Sequence, residues 1–280
     1  DLLLRLDYND GVVIYLNGRE VARRGLAGAS GTPVPAGAIA TPHARGMVEE
    51  IFLTDGIGAL RAGENVMAVH LAGSGAGDSA FVFVPELLAN FSRTPYIQNT
   101  TPRSTQIAWK TISPVAALIE YGTNTGSIQR LDLGVVHTNH VATLRDLDPD
   151  TRYVYRVGSR SAGGEIWSDW SWFRTFKLSG SFSFAVIGDS GWASPQQYMV
   201  AEQMNRAEVD LILHTGDLCY PAITERYADH RVLSVYAPQM RHTPMFWVPG
   251  NHDNGFNLQI PVDLFYQPTN DVTGTEHFYS

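Results

Sequence analysis

The chain is poor in cysteine and in basic residues, and these two shortages exclude several classes of protein. Cys219 is the only cysteine in 280 residues, so an internal disulfide is impossible. Lys and Arg number 20 against 28 Asp and Glu, and no basic stripe suited to nucleic-acid phosphates occurs. No apolar run approaches the roughly 20 residues that a membrane-spanning helix needs. We therefore predict a folded protein with neither a nucleic-acid partner nor a membrane span.

The residues that are present, 44% hydrophobic and 17% charged, have the proportions of a globular protein. A length of 280 residues suffices for two or three domains at roughly 100–200 residues each. The pattern of strands and turns predicts three domains, at residues 1–90, 91–178 and 179–280. The expected fold class is multidomain, with two all-β sandwiches followed by the first half of an α/β sandwich. The chain opens on Asp1 inside a strand-like segment, so we expect it to begin within a domain.

Residues 1–90 are predicted to be all-β. Asn17-Gly18, a strong hairpin signal, joins the predicted strands Val12–Leu16 and Arg19–Val21. Other strands are expected at Leu2–Leu6, Gly63–Leu71 and Ala80–Val84. Three stretches resemble the jelly-roll, galactose-binding-like sandwiches of bacterial secreted enzymes. They are Asp10-Gly11, Tyr15–Gly18 and Gly63–Asn65. The resemblance makes carbohydrate a candidate ligand, with a purely structural spacer as the alternative.

Residues 91–178 are predicted to form a second sandwich, because strand-like segments are separated by regularly spaced turn signals. The segment Leu144–Arg156 resembles the Leu-x-Pro-x-Thr-x-Tyr corner of fibronectin type III-like domains. Three tryptophans follow it, and they are either a binding platform or packing residues of the core and the domain junction: Trp167, Trp170 and Trp172.

Three apolar runs, each followed by a glycine and polar side chains, organise residues 179–280. We predict them as strands covered on both faces, at Phe184–Ile187, Leu211–His214 and Met245–Val248. Between the first two, a helix is indicated by Ser194 as N-cap, Pro195 at the first position and Gln197 completing a capping box. Its face toward the sheet is expected to contain Tyr198, Ala201 and Met204. A second helix is expected over about Thr224–Tyr236.

Oxygen-donating side chains follow the three predicted strands, in Gly188–Gly191, Gly216–Tyr220 and Gly250–Asp253. Ligands collect beyond the carboxyl ends of strands in open α/β sheets, so these side chains are expected to converge. The hard donors suit Mg, Mn or Fe-type ions, and they are Asp189, Asp217, Tyr220 and Asn251. Residues 179–280 carry 11 acidic and 4 basic side chains, which places most of the net charge of −8 around them. Because two metals about 3.5–4 Å apart can clamp a phosphoryl group, the natural reaction is hydrolysis of a phosphoester.

The three motifs together resemble the first three signature blocks of the calcineurin-like metallophosphoesterases. Tyr220 and the preceding fibronectin-like domain narrow the resemblance to the purple acid phosphatases. The resemblance implies that Asp189 and Tyr220 bind a ferric ion, and that Asp217 bridges it to a second ion, Fe(II), Zn or Mn. Asn251 would bind that second ion, and His252 would lie by the substrate and either stabilise the transition state or protonate the leaving oxygen.

The same resemblance implies hydrolysis of phosphomonoesters at a binuclear metal centre, with a metal-activated hydroxide as the nucleophile, in a secreted or extracytoplasmic protein. Two alternatives stay open. One is action on phosphodiesters or nucleotides at the same site, and the other is a carbohydrate- or surface-binding protein whose phosphatase half is inactive. The family has later Val-x-x-His and Gly-His-x-His blocks that supply three further histidine ligands, and we expect the chain to be a fragment that stops before them, at Glu276–Ser280.

The remaining histidines are interpreted as packing or surface residues. His214 lies beside a strand end and is expected to be a hydrogen-bonded neighbour of the site and not a ligand. His277 lies outside the Val-x-x-His and Gly-His-x-His settings. Cys219 is not expected to be a nucleophile, because no His–Cys pairing is evident.

Overall fold

The computed structural model describes residues 1–54, 56–75, 81–161, 163–253, 263–269 and 274. The chain divides into two compact units, Asp1–Ser92 and Arg93–Ser280. In the part of the chain that is described, no helix is both long enough and apolar enough to cross a membrane. The predicted start of a strand at Ala80 and the interpretation of His277 concern residues outside the described ranges.

In its described residues, the first unit contains two three-stranded antiparallel sheets and one 3₁₀ turn, Gly56–Ala59. Its strands are β1 Leu2–Tyr8, β2 Gly11–Leu16, β3 Arg19–Arg24, β4 Glu49–Phe52, β5 Met67–Ala72 and β6 Phe83–Ala89. The sheet orders are β4-β1-β6 and β3-β2-β5. Alternate residues of β1 and β2 share one apolar core, which includes Leu4, Leu6, Val12 and Ile14.

The predicted hairpin in this unit is confirmed. Asn17 and Gly18 both have positive φ, at 50° and 84°, which is the conformation of a type I′ turn between twisted strands. Three details differ from the sequence prediction: β4 was not foreseen, the strand expected from Gly63 begins at Met67, and among the described residues the strand expected over Ala80–Val84 begins at Phe83 and ends at Ala89. β4 is short and lacks a clean alternation of apolar and polar residues, because only Ile51 of its four residues is buried.

The second unit begins with six strands in one hydrogen-bonded network, in which long strands bend through bulges. They are β7 Phe91–Gln98, β8 Thr105–Asn124, β9 Ser127–Leu144, β10 Arg152–Ser161, β11 Gly164–Trp167 and β12 Ser171–Arg174. The hydroxyl of Tyr153 accepts a hydrogen bond of 2.9 Å from the backbone N–H of Asp148, five residues upstream. This is the bond of a tyrosine corner, as the motif at Leu144–Arg156 predicts.

The three tryptophans of this segment are stacked on cations. Arg156 lies over both Trp167 and Trp170, at 4.6 and 4.7 Å from the ring centroids. Trp172 lies between Arg152, 4.4 Å from its ring, and His242, whose ring is 4.5 Å away. These contacts favour packing over a free binding platform, because a cation already covers part of each ring.

The rest of the unit is a parallel sheet of order β13-β14-β15 with helices. The elements are β13 Phe184–Ile187, α1 Pro195–Arg206, β14 Leu211–His214, α2 Glu225–Ala228, a π-helix Asp229–Leu233, α3 Ala237–Met240 and β15 Met245–Trp247. The predicted β-α-β unit and all three strands are therefore confirmed. The parallel order brings the carboxyl ends of the strands to one edge.

Two packing predictions for this part are wrong, and one predicted helix differs in geometry. Tyr198 is 40% exposed, and Gln197 is buried in its place beside Ala201 and Met204. Phe184 and Val186 are each 56% exposed, because in the described part of the chain only the face of β13 that carries Ala185 and Ile187 packs against the core. The helix expected over Thr224–Tyr236 changes at Asp229 from α to π geometry.

The two parts of this unit are joined by a buried ion pair and a shared core. Arg93 in β7 donates to Asp229 in the π-helix at 2.5 Å and to Glu225 at 3.0 Å, and only 6% of Arg93 and 2% of Asp229 are exposed. The hydroxyl of Tyr96 donates to the carbonyl of Leu264 at 2.6 Å. The β-strand domain therefore packs against the helices that support the strand-end loops.

Candidate metal centre

The three motif loops lie at the carboxyl edge of the parallel sheet, and backbone hydrogen bonds connect the first two. The N–H of Asp189 donates to the carbonyl of Gly216 at 3.1 Å, and that of Ser190 donates to the carbonyl of Asp217 at 3.2 Å. The N–H of Tyr220 donates to the carbonyl of Gly191 at 3.3 Å. The first two loops therefore form one connected surface.

The glycines of the motifs are required by backbone contact. A Cβ on Gly191 would lie 1.9 Å from the carbonyl oxygen of Leu218, and one on Gly216 would lie 2.6 Å from the amide nitrogen of Gly250. A Cβ on Gly250 would lie 2.2 Å from Oδ1 of Asp217. Gly191 and Gly216 also have φ of +75° and +106°, which other residues rarely adopt.

Two of the predicted ligands themselves have left-handed backbone conformations. Asp189 has φ 49° and Asp217 has φ 55°, in the region where aspartate is tolerated better than most residues. Such strain persists only where the surroundings impose it, and it concentrates at functional sites. Here the neighbouring loops impose it through the backbone bonds described above.

The structure brings Asp189, Asp217 and Tyr220 into direct contact. The Tyr220 hydroxyl is 2.8 Å from Oδ1 of Asp189 and 2.9 Å from Oδ2 of Asp217. Desolvation and the hydrogen bonds to these two carboxylates raise the pKa of Tyr220 well above its usual value. The Tyr220 hydroxyl therefore lies within hydrogen-bonding distance of both carboxylates, and a cation held by these three side chains would neutralise the two negative charges.

His252 and Asn251 lie on the third loop, and only His252 contacts the carboxylates. The backbone N–H of His252 donates to Oδ1 of Asp217 at 2.8 Å. Its ring Nδ1 is 2.7 Å from the carbonyl oxygen of Pro221, so Nδ1 carries a proton and Nε2 is the other ring nitrogen. Asn251 is exposed, and no hydrogen bond within the described residues joins it to the other three predicted ligands.

Asp253 holds two of the loops together, a role that the sequence did not reveal. Its carboxylate accepts from the N–H of Leu218 at 2.9 Å and from that of Gly250 at 3.0 Å, and the residue is fully buried. Burial raises the pKa of Asp253, while its backbone hydrogen bonds oppose the change. The only sequence signal was its place in the third motif.

A buried polar network supports the first loop. His214 accepts from the N–H of Gly216 at Nδ1, 3.2 Å, so its Nε2–H donates to the Ser190 hydroxyl at 2.9 Å. Burial lowers the pKa of His214 to about 4, so the ring is neutral. Gln197 accepts from the N–H groups of Trp192 and Ala193 and donates to the carbonyl of Arg231 at 2.6 Å.

The donor set fits a hard cation. Within the described residues no group of three or more His, Cys, Asp or Glu side chains lies close enough to hold a metal, and the predicted donors of this chain include tyrosine and amide oxygens. Asp189, Asp217 and Tyr220 already converge within hydrogen-bonding distance, and carboxylate and phenolate oxygens prefer ions such as ferric iron. Cys219 is fully buried, and burial raises the pKa of its thiol, so it offers no thiolate.

Two protein-family models match the chain. Residues 94–175 match "Purple acid Phosphatase, N-terminal domain", and residues 182–279 match "Calcineurin-like phosphoesterase". The chain therefore resembles the purple acid phosphatases in carrying both of these domains in this order. The second match contains all three motifs described above, and the first contains the tyrosine corner.

Purple acid phosphatases and related proteins are also found by direct comparison. Human "Acid phosphatase type 7" is 28% identical over 185 residues, which cover 60% of this chain and 41% of that protein. The Arabidopsis thaliana "Fe(3+)-Zn(2+) purple acid phosphatase 12" is 27% identical over 49% of this chain and 30% of its own length. A purple acid phosphatase from yellow lupin seeds, PPD1, has the same fold at 16% identity, with a TM-score of 0.50 over 87% of this chain and 51% of the lupin chain. The chain thus spans less than half the length of the two curated relatives.

Proposed function

We propose that the protein hydrolyses phosphomonoesters at a binuclear metal centre to which this chain contributes Asp189, Asp217, Tyr220 and Asn251. The observation that supports the proposal most directly is the contact of the Tyr220 hydroxyl with both carboxylates, at 2.8 and 2.9 Å, on loops that follow neighbouring parallel strands. The phosphatase names of the relatives point to the same reaction class.

In the proposed assignment, Asp189 and Tyr220 would hold a ferric ion, Asn251 would hold a second ion, and Asp217 would contribute its carboxylate to both. The name of the Arabidopsis relative favours Fe(III) with Zn(II), while Fe(II) and Mn remain candidates for the second position. When bound, such a pair of cations would supply positive charge for the phosphoryl oxygens and would lower the pKa of water so that hydroxide is available near neutral pH.

The residues of the chain perform the remaining steps. His252 is oriented by its backbone bond to Asp217 and by its Nδ1 bond to the Pro221 carbonyl. Its Nε2 is therefore the nitrogen that can donate a proton to the leaving oxygen or a hydrogen bond to a phosphoryl oxygen. By resemblance to its family, we also propose that the protein is secreted or extracytoplasmic.

The test uses the full-length protein, with metal content and turnover measured together. Asp217→Asn should lower both the bound metal and the kcat/KM for nitrophenyl phosphate, because the amide removes the charge that would bridge the two ions. Glu202→Gln, an exposed change on α1, is the matched control and should alter neither. Retention of metal and turnover by Asp217→Asn would contradict the proposal.

The alternative function is hydrolysis of phosphodiesters at the same site. Comparing the turnover of a phosphodiester with that of a phosphomonoester distinguishes the two functions. Faster turnover of bis(nitrophenyl) phosphate than of nitrophenyl phosphate would replace the monoester assignment. Absence of turnover of both by the metal-loaded protein would favour the inactive, surface-binding alternative.

A further inference from the structure

Trp192 is the most exposed of the six tryptophans, all of which lie in the described part of the chain. Solvent reaches 55% of its surface, whereas Trp109 and Trp247 are almost completely buried. Trp170 is exposed to 38%, and Arg156 lies over its ring. Neither metal binding nor the hydrolytic step proposed above uses Trp192.

Trp192 is stacked on Tyr220, whose hydroxyl oxygen is a candidate metal ligand. Its ring lies 4.9 Å from that of Tyr220, centroid to centroid, with an interplanar angle of 8°. The Tyr220 hydroxyl in turn reaches Asp189 and Asp217. One face of the indole is therefore covered by the phenol, and the exposed area belongs to the opposite face and the edges.

The backbone at Trp192 is held in place. Its N–H donates to Oε1 of Gln197 at 3.0 Å, and the next N–H, that of Ala193, donates to the same oxygen at 2.7 Å. Gln197 is buried and also donates to the carbonyl of Arg231. The conformational cost of ordering this segment is therefore met before any ligand binds, which favours recognition by a rigid ring.

We infer that the open face of Trp192 is a stacking platform for an aromatic ring in the substrate, so that the site prefers phosphate monoesters that carry such a ring. The inference rests on the proposed function and names the substrate class of the same site. A phosphate held by the centre anchors one end of the ester, and an indole beside Tyr220 offers a flat apolar surface to the other end. Aromatic and nucleobase rings share this chemistry, because every such ring has a π-face.

The experiment compares ester pairs that differ only in the ring, in the full-length metal-loaded protein. Adenosine 5′-monophosphate and ribose 5-phosphate have the same primary alkyl ester, so the ratio of their kcat/KM values reports ring recognition and not leaving-group chemistry. Trp192→Ala should lower this ratio about 5- to 10-fold, and Trp192→Phe should keep most of it. Trp170→Ala, which removes an exposed tryptophan elsewhere, should leave the ratio unchanged.

Binding provides a readout that needs no turnover. By calorimetry, phenylphosphonate should bind more tightly than methylphosphonate, and Trp192→Ala should remove most of the difference. A smaller loss for adenosine monophosphate than for phenylphosphonate would assign the platform to simple aryl groups, and the reverse would assign it to nucleobases. Either result supports the inference.

An unchanged ratio in Trp192→Ala, or equal losses for both members of each pair, would overturn the inference. Equal losses together with reduced metal content would instead show that the indole only supports Tyr220. Failure of the unmodified protein to hydrolyse either ester would contradict the proposed function alone, since the phosphonate pair still decides whether Trp192 recognises a ring.

Discussion

Tyr220 is the side chain on which the candidate centre depends most, because its hydroxyl is the only described group that contacts both Asp189 and Asp217 through a side chain. Its raised pKa means that the phenol keeps its proton when no cation is bound. A trivalent ion between the same three oxygens would reverse this preference, since a nearby positive charge favours the phenolate.

Tyr220→Phe should therefore remove a visible absorption band from the metal-loaded, full-length protein. The band is expected from charge transfer between a phenolate and a ferric ion, and phenylalanine has no oxygen to donate. Absorption spectra recorded with iron content provide the measurement, and Tyr198→Phe, on the exposed side of α1, is the control. A protein that contains iron but lacks the band before mutation would contradict the tyrosinate assignment.

His252→Ala should slow the hydrolysis of alkyl phosphates more than that of nitrophenyl phosphate. A general acid contributes typically 10²–10⁴-fold, and its contribution shrinks when the leaving group departs easily without a proton. The measurement is kcat/KM for both substrates at full metal occupancy. Equal losses would exclude proton donation and leave electrostatic stabilisation of the phosphoryl oxygens as the role of His252.

At the scale of the elements, the three strand-end loops are packed so closely that their glycines leave no room for a side chain. Gly250→Ala is expected to displace the Asp217 carboxylate, because the added Cβ would lie 2.2 Å from its Oδ1. The variant should lose metal and lower the free energy of unfolding by about 1–3 kcal/mol. Metal analysis and urea unfolding measure the two effects.

The matched control for Gly250 is Gly58→Ala. A Cβ on Gly58 would meet only the end of the flexible Arg19 side chain, at 3.5 Å, and its φ is not in the left-handed region. Gly58→Ala should leave metal content unchanged. If Gly250→Ala behaved like this control, the close packing of the second and third loops would not matter for the site.

The sequence predicted the strands of the parallel sheet and the start of α1, because their signals are local. Ser194 caps α1 by accepting from the N–H of Gln197 at 3.2 Å, as the motif indicates. The Gln197 side chain was expected to complete a capping box, but it binds the N–H groups of Trp192 and Ala193. Ala193 has φ 51°, and no local rule of sequence reveals that turn.

Non-local contacts account for most of what the sequence did not predict. The π-helix at Asp229–Leu233 contains two charged side chains with partners outside the helix: Asp229 binds Arg93, 136 residues away, and Arg231 donates to the carbonyl of Tyr220, 11 residues away. Helical periodicity carries no information about either partner. Asp253 was missed as the residue that joins two loops for the same reason, since its partners are backbone N–H groups of separate loops.

At the scale of the whole molecule, the β-strand domain and the phosphoesterase part of the second unit are linked by charges that water cannot reach. Arg93 and Asp229 are both buried, and Glu225 adds a partly exposed carboxylate that also binds Lys110 at 2.9 Å. Removing Asp229 would leave the buried Arg93 with the partly exposed Glu225 as its remaining carboxylate partner, and an undercompensated buried charge costs more than the pair itself contributes.

Asp229→Asn should therefore lower the free energy of unfolding by about 3–5 kcal/mol, whereas the double change Arg93→Met with Asp229→Leu should cost less than the single one. Urea unfolding of the two variants and of the unmodified protein gives the comparison. Glu202→Gln, which breaks an exposed pair with Arg206, should change stability by less than about 1 kcal/mol. Equal costs for Asp229→Asn and Glu202→Gln would show that the Arg93 pair is not a structural link.

The Arg93–Asp229 pair also sets an order of events during synthesis on the ribosome. The two residues are 136 positions apart, so the strand that carries Arg93 is made long before the carboxylate that neutralises it. At a translation rate of about 5–20 residues per second, Asp229 is synthesised roughly 7–27 seconds after Arg93. During that interval Arg93 must stay hydrated, because a lone buried charge is too costly, and the face of β7 that carries it stays open. The β-strand domain thus completes its own burial only when the nascent phosphoesterase part arrives.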